Sequence, residues 1–272
     1  MTDVTRYATP GPLTDLSGVD PAALADLPDD PVALCRLAPG LVIQPHAASA
    51  LGLPPERLGE NQIRPAAGLV AALLAQRPGS LTVAREPADR VVGTCRHFAV
   101  LSVALLRHRG IPARARCGFA TYFQAGQGLD HWVVEHWDGG AGRWVRVDAE
   151  IIGQTLLSRP DDLQPGQFYT GGEAWAAHRA GTIDAATFGV HGTENFGPGE
   201  IRGNAVRDLA ALNQIEMLPW DEWGRMTESY QGKTSDDYDE LMDRIADATA
   251  GDSPERLYRA EEELRPPAEL IR

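Results

Sequence analysis

The chain has 272 residues, 43% of them hydrophobic and 23% charged, enough apolar material for one or two buried cores. Its formal net charge is −13, and residues 222–272 carry 14 Asp/Glu against 7 Lys/Arg, a balance that speaks against nucleic acid or an anionic membrane as partner. No apolar run reaches the roughly 18 residues a bilayer span needs, the first twenty residues have no secretory h-region, and cysteines at 35, 95 and 117 fit neither a disulfide framework nor a zinc spacing; the expectation is a cytoplasmic protein with reduced thiols and no metal.

Residues 1–60 are rich in Pro, Ala and Asp, with short helical patches such as DPVALCRLAPG. A longer helix is predicted over RPAAGLVAALLAQR, stopped by Pro78 and Gly79. The next runs from Cys95 to about Arg109, with Phe98, Leu101, Val103, Leu105 and Leu106 at helical spacing. Arg107, His108 and Arg109 suit the negative end of its dipole, Gly110 supplies the C-terminal cap and Pro112 blocks continuation. The period then changes to two in ARARCGFATYF, where Ala113, Ala115, Cys117 and Phe119 alternate with Arg114 and Arg116. HWVVEHW and RWVRVDAE read as two further strands joined by DGGAG. Beyond residue 170 the pattern is helical again, in GGEAWAAHRAG, GNAVRDLAALNQI, SDDYDELMDRIADATA and SPERLYRAEEEL. There is no internal repeat and no Gly-rich phosphate loop, and DDYDELMD lacks the glycine of a calcium loop, so it reads as a solvated acidic helix. The expected division is an N-terminal helical and loop region (1–60), a core (61–170) and a helical C-terminal region (171–272) packing on that core.

A free cysteine is most often a packing residue, but Cys95 stands where a helix begins. Thr94 suits the N-cap, and at the first helical position the unpaired amides and the dipole favour a thiolate. Cys117 shares its parity with Ala115 and Phe119, and Cys35 lies in an Ala/Leu stretch; both are expected to be structural. In the hairpin, a two-residue type I′ loop at Gly139 and Gly140 would pair Asp138 with Ala141. That register sets Glu135 opposite Trp144, Val133 opposite Arg146 and His131 opposite Asp148, with Trp132, Val134, Val145 and Val147 on the buried face. A carboxylate beside imidazole orients the ring and stabilises its protonated form, leaving the other nitrogen to take a thiol proton. The plainer alternative is a surface His–Asp pair. His136 falls on the opposite face, His97 is an alternative base close to Cys95, and His46, His178 and His191 have no evident partner. Arg202, Asn204, Arg207 and Asp208 are expected to cap and pair a helix or, alternatively, to line a substrate pocket.

Taken in order, GTCRHFA, LLRHRGIPAR, DHWVVEHW and RWVRVDAE resemble the transglutaminase-like superfamily of papain-related thiol enzymes, over roughly residues 60–155. The resemblance implies Cys95 as nucleophile, His131 as base and Asp148 as orienting acid; Gly93, Phe98 and Ala99 also match the surroundings of the cysteine. It looks closest to stand-alone bacterial members, several of which are similar through IRGNAVRDLAALNQIEMLPWD as well. Two features depart from the animal enzymes. Arg96 stands where they have tryptophan, and every Trp here follows Cys95, whereas they place an indole upstream at the oxyanion. An oxyanion hole would therefore need the Cys95 N–H and another donor, Asn61 or Gln62. The implied fold is α+β with a papain-like core, the Cys95 helix packed on an antiparallel sheet and flanked by N- and C-terminal helices. The implied reaction is acyl transfer on an amide or peptide bond through a Cys95 thioester, without a cofactor. Hydrolysis is favoured over transamidation because it needs no second binding site. Rival readings are an amide-forming acyltransferase of a biosynthetic pathway and a non-catalytic member that binds peptide.

Overall fold

The computed structural model describes residues 4–251 and 253–271, so the ends of the expected N- and C-terminal regions and Asp252 lie outside the described residues. Its strands are Val42–Ile43 (β1), Val91–Val92 (β2), Ala113–Ala120 (β3), Gly128–Asp138 (β4), Arg143–Val147 (β5), Phe168–Thr170 (β6) and Phe188–Gly189 (β7). The longer helices are Ala66–Gln76 (α1), Cys95–His108 (α2), Gly171–Arg179 (α3), Pro198–Leu212 (α4), Asp236–Ala250 (α5) and Pro254–Ala260 (α6). Five strands form one sheet in the order β5-β4-β3-β6, with β7 paired to β4; β1 and β2 pair separately, in parallel. The class is α+β, as the sequence predicts. No helix among the described residues is long and apolar enough to cross a membrane. The chain folds as two compact units, Val4–Ala115 with Val133–Leu163 and Arg116–Trp132 with residues 164–271, and β3 and β4 each run from one into the other.

In the first unit α2 is enclosed on every side: all residues from Cys95 to Arg107 are buried, against α1, the short helix Pro31–Cys35 and the turn Val4–Ala8. Leu101, Val103, Leu105 and Leu106 are wholly inaccessible, each contributing roughly 1.5–3 kcal/mol of burial. The helix ends as the sequence predicts. Gly110 takes φ +71°, its N–H donating to the Arg107 carbonyl (2.9 Å) and that of Ile111 to Leu106 (3.0 Å). Arg107 does more than complement the dipole. It is buried, its Nε donating to the Ala113 carbonyl at 2.9 Å and its Nη1 to Thr14 Oγ1 at 2.7 Å, which ties the helix to the start of β3.

The hairpin has a longer turn than the expected two-residue loop. Asp138 pairs with Arg143, leaving Gly139 to Gly142 in the loop, and the positive φ falls on Gly142 (+65°). The Asp138 carboxylate selects this turn by accepting from the N–H groups of Gly140 (2.9 Å) and Ala141 (3.0 Å). Every pairing is thereby displaced by two positions: Trp137 faces Trp144 and Glu135 faces Arg146. An even displacement leaves each side chain on its expected face, so Val134 and Val147 remain buried while Glu135 and Arg146 form an ion pair at 2.7 Å.

In the second unit, α3, α4 and α5 pack around Trp175, Ile201, Leu209, Met242 and Ile245. The acidic stretch in α5 is solvated on one face only, because Tyr238, Leu241, Met242 and Ile245 are buried. Helix α4 starts at Pro198, earlier than the apolar pattern suggests, since proline at N1 loses no helical hydrogen bond. Gly171 lets α3 approach α4: a Cβ there would lie 2.3 Å from the Ala205 nitrogen. Asp208 on α4 holds Arg116 of β3 through two bonds of 2.9 and 2.8 Å and also accepts the Cys117 N–H at 3.0 Å.

Candidate active site

Cys95 is the first residue of α2, preceded by Thr94 in extended conformation. The cap involves an imidazole rather than a carboxylate: Thr94 N–H donates to His97 Nδ1 at 3.0 Å, and His97 N–H donates to the Thr94 carbonyl at 2.8 Å. Burial, reinforced by the neighbouring Arg96, pushes His97 down to about 3. A neutral ring that accepts at Nδ1 carries its proton on Nε2, so His97 serves as a capping group. Gly93 makes room for it, since a Cβ at that position would sit 2.6 Å from His97 Cβ. Arg96 is also structural: it is inaccessible and donates to the Arg64 carbonyl at 2.7 Å, fixing the helix start to the segment before α1.

All three cysteines are buried, to different degrees. Cys35 is wholly buried, and burial followed by the charge of Asp30 pushes its thiol up to about 12. Cys117 is wholly buried and donates to Asn204 Oδ1 at 3.3 Å. Cys95 retains 7% exposure, and a Glu150 carboxylate oxygen lies within 4.8 Å of its sulfur. Glu150 is in turn held by Gln44 Nε2 at 2.8 Å. Neither residue was expected at the site. Glu150 follows Asp148 by two positions, and only the path of the chain beyond β5 brings it to the thiol.

Asp148 is inaccessible and sits immediately after β5, where its Oδ1 accepts from the N–H groups of Glu150 (2.9 Å) and Ile151 (3.3 Å). This turn carries Glu150 toward Cys95. The hairpin ladder ends at Val134 with Val147, so neither His131 nor Asp148 belongs to it, and the expected directly opposed pairing of the two does not form. His131 lies on β4 in the second unit, 3% exposed, with its ring edge-on to Phe123 (4.9 Å) and Tyr122 (6.3 Å). Its neighbour Asp130 accepts from Asn204 Nδ2 at 2.7 Å. Asn61 and Gln62 bond to each other at 2.9 Å on the turn Pro55–Gln62. His136 is buried on the other face, where desolvation lowers it. Of the four polar residues on α4, Asn204 and Asp208 tie the helix to β3, Arg202 pairs with Asp239 at 2.8 Å, and Arg207 donates to Tyr230 at 2.9 Å.

Residues 75–149 match the family model described as the transglutaminase-like superfamily. The match is confined to this part of the chain, and it supports thiol-based catalysis in general terms. The span contains Cys95, His131 and Asp148. Among solved structures, the chain is similar to a candidate cysteine protease from Cytophaga hutchinsonii, with 18% identity and a TM-score of 0.39 over 59% of this chain. The similar region spans 45% of that protein's length. No curated protein matches the chain.

Proposed function

We propose that the protein is a cysteine-nucleophile enzyme that hydrolyses an amide or peptide bond through a thioester on Cys95. One observation carries the reading: within the matched segment, the cysteine that keeps some exposure, 7% against none for Cys117, occupies the first position of a helix. The first amides of a helix have no intrahelical acceptor, and their field stabilises an anion at that position. In the proposed reaction His131 takes the thiol proton and the Cys95 sulfur attacks the amide carbonyl. The Cys95 N–H serves the developing oxyanion, and His131 returns the proton to the departing amine. Water then gives a proton to His131 and attacks the thioester, releasing a carboxylic acid and restoring the thiol. Asp148 orients His131 in this scheme. No step requires a cofactor.

Two measurements test the proposal. Incubation with a library of peptides and small amides, followed by intact mass, should trap an acyl adduct that maps to Cys95 and disappears in Cys95→Ala and His131→Ala. Iodoacetamide at neutral pH should label Cys95 and spare Cys35 and Cys117 in the folded chain. Undiminished turnover by Cys95→Ala on any substrate so found would overturn the reading. Capture of the adduct by an added amine in preference to water would move it to transamidation.

A further inference from the structure

The second unit contains a cavity of about 720 Å³ that the proposed thiol chemistry does not use, and its walls include Asp130, Glu200, Glu222, Trp220 and Tyr230. Both guanidinium groups lining it are engaged. Arg202 pairs with Asp239 at 2.8 Å, and Arg207 donates through Nη1 to the Tyr230 hydroxyl (2.9 Å) and through Nη2 to the Asp221 carbonyl (3.1 Å). Asp130 accepts from Asn204. The Glu200 carboxylate, by contrast, makes no hydrogen bond or ion pair among the described residues; its backbone N–H donates to the Gly197 carbonyl at 3.1 Å. Ser229, also in the wall, is only 3% exposed and its hydroxyl has no partner.

Partly buried carboxylates facing a cavity need a compensating cation. An anion entering here would meet two of them, Asp130 and Glu200, together with the exposed Glu222, which accepts from the Thr227 hydroxyl. A bare metal ion would need about six oxygen ligands closing around it, whereas this space has an aromatic flank and sits within the usual size range of organic ligand sites, about 300–1,000 Å³. The Trp220 indole, 41% exposed at the wall, offers the π-face that ammonium groups favour. We propose that this cavity binds a small organic amine in its ammonium form, held by Glu200 with Asp130 and Glu222 and flanked by the Trp220 indole. The groups that face Glu200 support the charge sign. Its own burial, then the nearby Asp130 and Glu222, push its carboxyl up to about 7 against the opposing charge of Arg207. Tyr230, pushed up to about 12, stays neutral throughout this range.

The site and its test are independent of Cys95. Calorimetric titration of the full chain with putrescine and spermidine, with glutarate and Mg²⁺ as comparison ligands, reads the proposal directly. Only ionised Glu200 pairs with an ammonium group, so affinity for the amines should fall about tenfold from pH 8 to pH 6. Glu200→Gln should weaken binding at pH 8 about tenfold or more and abolish that pH dependence, while Trp220→Ala weakens it about threefold. Circular dichroism checks that each variant is folded, and Cys95→Ala should bind as the parent does. Absence of heat from either amine at millimolar concentration would overturn the proposal. So would glutarate binding that tightens toward pH 6, Mg²⁺ binding in preference to the amines, or a folded Glu200→Gln chain with parental amine affinity.

Discussion

Replacing Glu150 by Gln should make the Cys95 thiol more reactive, because the carboxylate within 4.8 Å of the sulfur disfavours a thiolate. Coulomb's law at 4.8 Å gives about 0.9 kcal/mol at the dielectric of water and about 3.5 kcal/mol at an effective value near 20. Removing the charge then raises the thiolate population, below its titration range, by between about 4-fold and about 300-fold. A less basic thiolate is also a weaker nucleophile; a Brønsted slope of about 0.45 trims the gain in alkylation rate to between about 2-fold and about 24-fold. Gln is nearly isosteric, so the Gln44 contact at 2.8 Å has an acceptor in both proteins. The assay is the rate of iodoacetamide labelling of Cys95 at pH 6, read by peptide mass, with Cys35 and Cys117 as folded-state controls. Slower labelling in Glu150→Gln would refute the reasoning, and would mean that the carboxylate acts by holding a cation near the sulfur.

Three further outcomes are expected. Asp208→Asn should cost about 3–5 kcal/mol in a urea titration, because it leaves the Arg116 guanidinium, only 4% exposed, without its carboxylate. Gly171→Val should lower the thermal midpoint by at least several degrees, since its Cβ would lie 2.3 Å from the backbone of α4 and the two helices would have to part. His97, held down to about 3 where an exposed histidine titrates near 6.5, binds its proton more readily in the unfolded chain. Stability from this residue is complete above pH 6.5 and is lost at about 1.4 kcal/mol per pH unit as the pH falls from there toward about 3. Acid titration of His97→Gln should therefore show a flatter slope in that window than the parent, and an unchanged slope would show that His97 is not the buried neutral group described here.

The elements with strong local signals were legible in the sequence. Helix α2 begins at Cys95 and stops at Gly110 because both ends are written in residues of fixed conformational meaning, and β3 to β5 follow from the change of period. The hairpin register was missed because Gly139 and Gly140 invite a two-residue turn, while the deciding group is the Asp138 carboxylate that caps a longer one. Side-chain faces survived since the displacement was even. Strands β1, β2, β6 and β7 have two or three residues each, too few for any periodicity to register. Burial of Arg96, Arg107 and Arg116 could not be read locally either. Each is paid for by partners distant in sequence: Arg64, Thr14 and Asp208.

Glu150 changes the electrostatic account of the nucleophile. From the sequence, the helix start was the dominant field at Cys95, and it favours an anion by roughly 0.3–1 kcal/mol, or about 2 kcal/mol where partly buried. The carboxylate opposes this with a contribution of about 0.9–3.5 kcal/mol at the separation found. These two fields within the first unit nearly cancel, or the carboxylate prevails. Activation then requires a cation, and in the proposed mechanism the imidazolium of His131 is that cation. In that mechanism, proton transfer from sulfur to the ring creates the thiolate and its counter-charge together. Such an arrangement keeps the thiol protonated whenever the imidazole is not in place to receive its proton. It follows that His131→Ala should do more than remove a base. In that variant Cys95 should label more slowly at pH 6 than in the parent, and adding Glu150→Gln to it should restore much of the loss, whereas independent roles for the two residues would leave their effects merely additive.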